Sequence, residues 1–229
     1  MPQRRIIDLS LAVDTRLPNA QVDPYKSIEV EGWNATMLRL YSHCGTHMDA
    51  PFHFLPDGET MESLNLQACC GAARVVNLSP VEPAELLTVE RFEAALDAEI
   101  EPGERMLLRT DWSTCYPSQE YRDQLPRISL ELAEWLVAKQ VRLVGVEPPS
   151  VADVNNSEEL TAVHQTLFRG GVVIVEGLCQ LDKIESDRCE FIALPLRIDG
   201  GDGCPVRAIA IVGKEEPSPT EAFGFKREC

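Results

Sequence analysis

The sequence predicts an α/β protein: a single domain on a mixed, partly closed sheet. Short apolar segments rich in branched aliphatics recur along the chain, and helical patterns are interleaved with them rather than set apart. No repeat, heptad, low-complexity block or Gly/Ser linker interrupts the 229 residues, and a hydrophobic fraction of 44% is enough for a substantial core. We place the domain at residues 1–213. The stretch 214–229, opening Lys214-Glu215-Glu216-Pro217, reads as a polar C-terminal tail.

The strands expected in order are Thr36 to Ser42, Ala73 to Leu78, Arg105 to Thr110, Val141 to Val146, Val172 to Glu176, Phe191 to Leu196 and Val206 to Val212. Most are short and bounded by Gly or Pro, which punctuate extended chain. The helices expected are Val89 to Ala98, Leu130 to Lys139 and Glu158 to Phe168. Ser129 is placed to cap the second, which puts Leu132, Trp135 and Leu136 on one side. Asn156 caps the third, with Glu159 three residues on in the spacing of a capping box and Gly170-Gly171 as its stop.

Composition excludes several function classes. A net charge of −16 repels phosphate backbones, so nucleic acid is not an expected partner. No apolar run approaches the roughly 20 residues that span a bilayer, and Asp8 and Asp14 interrupt the apolar stretch after the basic start, so neither membrane nor export is expected. The eight cysteines lack repeated C-x-x-C spacing and read as reduced thiols of a cytoplasmic protein.

The chemistry concentrates between residues 43 and 53, where three of the four histidines stand with a carboxylate: His43, His47, Asp49 and His53. Imidazole nitrogen and carboxylate oxygen together make a metal-ligand set. His43 and His47 are four apart, but Cys44 stands where the helical zinc-protease motif needs its glutamate, and Gly45 and Pro51 disfavour a helix. On an extended chain the four odd-numbered residues share one side. A straight strand would part His43 from His53 by about 33 Å at roughly 3.3 Å per residue, so the segment must bend, with Gly45 and Pro51 as its corners. His43, His47 and Asp49 then close on one ion, leaving His53 beyond them for proton transfer or substrate contact. His164, on the third helix, and Glu176, a carboxylate closing an apolar strand, form a candidate second ligand pair, since such a carboxylate is costly to bury unless paired or bound to a cation.

His43-x-Gly45-Thr46-His47-x-Asp49-x-Pro51-x-His53, with a His and a Glu twelve residues apart far downstream, resembles the metal-dependent cyclase family that includes bacterial kynurenine formamidases and isatin hydrolases. The resemblance runs from Ile7-Asp8-Leu9-Ser10 through Asp57-Gly58, Val144-Gly145-Val146-Glu147-Pro148-Pro149-Ser150 and Val173 to Leu178, and on to Cys204-Pro205-Val206-Arg207-Ala208. It implies that His43, His47 and Asp49 bind a first divalent metal and that Asp49 bridges to a second position completed by His164 and Glu176. It also implies that His53 is the acid/base, that the fold is a swivelling β/β/α domain, and that the protein is a homodimer or larger assembly. Kynurenine formamidases of the family carry a tryptophan in the N-terminal segment; between Leu11 and Tyr25 this chain has none, its tryptophans being Trp33, Trp112 and Trp135.

A divalent ion, zinc or manganese, one or two per site, lowers the pKa of bound water and polarises a carbonyl. The function expected is therefore metal-dependent hydrolysis of the C–N bond of a small aryl formamide or cyclic amide. A non-catalytic metal-dependent small-molecule binder and a cyclase or dehydrating lyase are the alternatives.

Overall fold

The computed structural model describes residues 4–213, so the tail expected at 214–229 lies outside the described residues. In chain order the strands are β1 (Arg5–Asp8), β2 (Ala20–Lys26), β3 (Ala35–Leu40), β4 (His47–Asp49), β5 (Cys70–Asn77), β6 (Leu86–Leu87), β7 (Arg105–Arg109), β8 (Arg127–Ile128), β9 (Leu143–Val146), β10 (Val173–Glu176), β11 (Arg188–Ile192), β12 (Gly203–Pro205) and β13 (Ile209–Val212). The helices are α1 (Ile28–Glu31), α2 (Val89–Ala94), α3 (Gln119–Asp123), α4 (Leu130–Ala138) and α5 (Ser157–Arg169).

Nine strands form one sheet in the order β1-β13-β11-β5-β7-β9-β10-β4-β12. The four central strands β5, β7, β9 and β10 run parallel, and every other pairing within this sheet is antiparallel. This is the mixed sheet expected, and it curls into a half-barrel. The chain leaving β1 reaches across the curl: Leu9 N donates to Ala208 O and Cys179 N to Leu9 O, each at 2.9 Å, and Ser10 bridges Leu178. Backbone groups at one edge thereby find partners near the other, which blunts the exposed-edge problem of a large sheet.

Side chains alternate between two cores, as the pleat requires. On one face Leu107, Leu143, Val173 and Val175 pack with Leu9, Leu178 and Phe191. On the other, Met106, Leu108, Val144, Val146 and Ile174 pack under the helices, against Phe92, Leu132, Leu136, Val163 and Leu167. Each such side chain contributes about 1.5–3 kcal/mol by leaving water. Ser129 caps α4 and Asn156 caps α5 as expected, their side chains accepting from Leu132 N and Glu159 N. The Glu159 carboxylate reaches back to Asp153 N instead of the cap's own amide, so the capping box is not closed. Gly170 ends α5 where a Cβ would overlap Val137 of α4, so glycine permits the helices to approach.

Several expected elements differ at their ends. The strand expected at Phe191 to Leu196 is β11, ending at Ile192: Pro195 has no amide to donate, and Leu194 and Leu196 are exposed. The strand expected from Val206 begins at Ile209, and the first helix stops at Ala94. The β2/β3 hairpin buries none of its strand residues and projects from the body.

Arg74 on β5 is 2% exposed and donates to Ala98 O, Glu99 O and both carboxylate oxygens of Glu104, the last two at 3.0 Å. Removing Arg74 leaves the carbonyls of Ala98 and Glu99 without this donor, while Glu104 keeps its ion pair with Arg188. Arg74→Ala is expected to cost about 1–3 kcal/mol, read as a lower urea midpoint with an unchanged slope.

Candidate metal centre

The short strand β4 lies between β10 and β12, and its side chains alternate between the core and the site. Met48 enters the core, while His47 and Asp49 point the other way. The register sets His47 opposite Glu176, the last residue of β10. Before β4 the chain turns at Gly45, with φ +65°, and after it folds into a 3-10 turn over Pro51–His53. The two corners expected from the sequence are where the chain bends. Gly177, with φ +67°, follows Glu176 where a Cβ would overlap Gly45 O, and Thr46 Oγ1 donates to Gly177 O at 2.5 Å. That close backbone crossing holds Glu176 beside His47.

His43, His47, Asp49, His164 and Glu176 converge. His47 Nε2 is 3.4 Å from Asp49 Oδ1 and 3.3 Å from Glu176 Oε2. His164 Nε2, brought in by the buried face of α5, is 3.7 Å from Asp49 Oδ2 and 3.4 Å from Glu176 Oε1. His43 Nδ1 is 2.8 Å from Asp49 Oδ1. Candidate ligand atoms of His43, His47 and Asp49 lie within 4.8 Å of one another, and so do those of Asp49, His164 and Glu176. Asp49 belongs to both groups. His53 stands just outside, its ring stacked on that of His43 with centroids 3.8 Å apart.

The electrostatics divide these groups. Burial pushes the Asp49 carboxyl up, but hydrogen bonds from His43 and His47 outweigh it and hold it well below the usual carboxylate range. Burial and the Asp49 charge raise Glu176, and His164 and His47 bring it net downward. Burial alone would lower His47 and His164; their carboxylate partners, Asp49 and Glu176 for His47 and chiefly Glu176 for His164, raise both. His53 goes the other way, lowered by burial first and by the charge of His43 second. The cluster holds cationic or metal-facing imidazoles around ionised carboxylates, with one neutral imidazole beside them.

The donor set fits a divalent ion. His47 Nδ1 is 2.9 Å from Gly45 O and His164 Nδ1 is 2.7 Å from Leu160 O, contacts that need a proton on Nδ1 and so leave an Nε2 lone pair in the neutral ring. Those lone pairs face carboxylate oxygens, acceptor against acceptor, and only a proton or a cation satisfies both. Asp49 Oδ2, moreover, is buried without any hydrogen-bond partner. A buried orphan of this kind requires an explanation, and an ion shared between Asp49 and its neighbours supplies one.

The cluster floors a cavity of about 450 Å³ whose walls include Leu17, Phe54, Tyr116, Leu160 and Arg16. Cys44 is buried, and burial raises its thiol, which suits an inert side chain better than a nucleophile. Trp112 is buried, with Nε1 donating to Tyr121 O, and Trp33 is exposed beyond the hairpin helix α1. Two contributors escaped the reading of the sequence. Asp202, at the entrance to β12, places Oδ2 3.1 Å from His43 Nε2 and 3.8 Å from His53 Nδ1. Gly203 has no Cβ where one would overlap the His43 ring. The run Gly200-Gly201-Asp202-Gly203 was their signal: a carboxylate amid glycines marks backbone making a close approach.

Comparisons with known proteins place the chain among relatives. The Cyclase family model matches residues 7–153. Kynurenine formamidase of Bacillus mycoides (strain KBAB4) is 39% identical over 176 residues, 77% of this chain and 79% of the relative. That of Bacillus cytotoxicus is 40% identical over the same length and shares of the two chains. Among solved structures, an isatin hydrolase bound to the product analogue thioisatinate superposes with a TM-score of 0.84 at 23% identity, covering 92% of this chain and 93% of that one, a likeness of fold.

Proposed function

The chain belongs to the Cyclase family, and from that membership we propose that it hydrolyses the C–N bond of a small aryl formamide or cyclic amide, using divalent metal held by His43, His47, Asp49, His164 and Glu176. The observation that carries the reading is the acceptor-lined cluster around Asp49, whose Oδ2 has no partner, lying beneath a cavity with the neutral His53 at its side. A binder that merely sequesters a ligand has no use for a half-buried imidazole kept free for protons.

A divalent ion held there supplies an activated water near neutral pH and polarises the carbonyl. The protein groups do the rest. His47 and His164 are committed by their Nδ1 contacts to offering Nε2 inward, and the cavity walls at Leu17, Phe54 and Leu160 exclude bulk water, which strengthens every charge interaction within. His53 takes a proton from the attacking water and returns it to the departing nitrogen. The elements of water are divided between the products: hydroxyl on the carbonyl carbon, hydrogen on nitrogen. A formamide gives formate and an arylamine, and a cyclic amide gives one ring-opened amino acid.

A mixed nitrogen and oxygen donor set suits zinc and also admits manganese, and the sharing of Asp49 between two ligand groups favours two ions over one. The hairpin exposes Tyr25, Ile28, Val30, Trp33, Met37 and Leu38 together, which supports a homodimer that covers them. No helix among the described residues is long and apolar enough to cross a membrane. With the acidic charge and reduced thiols, that favours a cytoplasmic enzyme acting on a small molecule and not on nucleic acid.

The test is elemental analysis of the purified protein joined to assays on formamides, cyclic amides and lactones. We expect bound metal, loss of hydrolysis on chelation, and recovery on adding zinc or manganese. Ligand affinity without turnover in every metal-loaded state would leave a binding protein instead.

A further inference from the structure

The nitrogen of each ligand imidazole that faces away from the Asp49–Glu176 carboxylates has an anchor, and one anchor differs in kind. For His47 and His164 it is a backbone carbonyl, Gly45 O and Leu160 O. For His43 it is a side chain: Nε2 lies 3.1 Å from Asp202 Oδ2, while Nδ1 faces Asp49 Oδ1 at 2.8 Å. His43 is thus turned end for end relative to its two companions, with Nδ1 inward.

The backbone brings Asp202 to this point independently of any ion. Its carbonyl accepts from Ala50 N at 2.9 Å, and the next residue, Gly203, pairs with Asp49 across the β4/β12 ladder. Gly203 leaves room for the His43 ring, and Tyr41 flanks it at 5.4 Å between centroids. The ring of His53 stacks on His43, so whatever fixes His43 also fixes the surface beneath the proton-transferring imidazole.

We propose that Asp202 is a positioning residue: by accepting the Nε2 proton of His43 it commits Nδ1 of that ring to the divalent ion, whereas His47 and His164 ligate through Nε2. This rests on the metal-dependent reading above. A carboxylate oriented on a ligand histidine fixes its tautomer and raises its basicity, and loss of such a partner typically costs about 10–100-fold in metal affinity. His47 and His164 are held by backbone that no substitution removes, which makes His43 the ligand that a single side-chain change can release.

The experiment uses the full chain labelled with 15N-histidine, stripped with chelator and reloaded with zinc alone. Ring nitrogen-to-proton correlation spectra assign the protonated and metal-bound nitrogen of each histidine. Expected is zinc on Nδ1 of His43 with Nε2 protonated, and the opposite pattern for His47 and His164. Asp202→Ala should weaken zinc binding about 10–100-fold in chelator competition and abolish the fixed His43 tautomer. Asp202→Asn, whose amide oxygen still accepts, should keep the Nδ1 pattern. Asp199→Ala, on the same turn but exposed, should match wild type. Should Asp202→Ala fail to fold, the wild-type and Asp202→Asn spectra decide alone. Zinc on Nε2 of His43, or undiminished affinity in a folded Asp202→Ala, overturns the inference with the metal reading intact. A wild-type chain that takes up no zinc overturns both.

Discussion

Replacing His53 with alanine should lower turnover by about 10²–10⁴-fold and leave the metal content of the purified protein unchanged. The imidazole stands at the end of the Pro51–His53 turn with its side chain about a quarter exposed, against 2–3% for His47 and His164. All four histidines line the cavity, but His53 is the most exposed of them and the one whose pKa is held low, by burial first and the His43 charge second. Neutral at pH 7, it accepts a proton without first having to lose one. The five proposed ligands contact one another without it: every close pair between imidazole and the Asp49 or Glu176 carboxylates involves His43, His47 or His164. With the roles proposed above, deleting it removes a proton carrier and not a ligand. Steady-state kinetics paired with elemental analysis make the check. Metal lost together with activity would move His53 into the ligand set, and unchanged kcat would remove it from the mechanism.

How much of this was legible in the chain depends on whether the signal was local. The bend at Gly45 and Pro51 followed from strand arithmetic, because a separation of about 33 Å cannot serve one ion. The central strands and the two long helices followed from their own periodicity and caps, Ser129 and Asn156 among them. The strands β1, β4 and β12 did not. They are three or four residues long, too short for a period to declare itself, and exist because neighbouring strands offer them a ladder. Asp202 was lost for the same reason. It is 159 residues from His43, and only the β4/β12 pairing brings them together. The fate of Leu194 and Leu196, apolar yet exposed, was hidden too, since apolar character in a short run does not say which strand will be there to receive it. Glu176 shows the opposite case. A carboxylate closing a four-residue strand that is buried throughout was a local anomaly that pointed to a cation-binding role, and the register then set it against His47.

Asp49→Ala should abolish metal binding at both positions, an effect larger than the roughly 10–100-fold typical of partners that only orient a ligand. Asp49 is the residue common to the two ligand groups: Oδ1 lies toward His43 and His47, Oδ2 toward His164. With alanine there, His43 keeps no buried carboxylate and the remaining imidazoles compete for Glu176 alone, so neither set retains three donors. The readout need not be activity. A ligand that binds only the native state stabilises it by about 4 kcal/mol at a thousandfold over Kd, roughly 8–16 °C in Tm for a domain of this size. Wild type should show such an increment between chelator and excess zinc, and Asp49→Ala should show none. In the stripped protein, hydrogen bonds from His43 and His47 hold the Asp49 carboxyl below the usual carboxylate range, so at neutral pH chelated Asp49→Ala is expected to melt below chelated wild type; the zinc-dependent increment, not the apo Tm, reports on ligation. If Asp49→Ala still gains Tm from zinc, Asp49 is not the shared ligand.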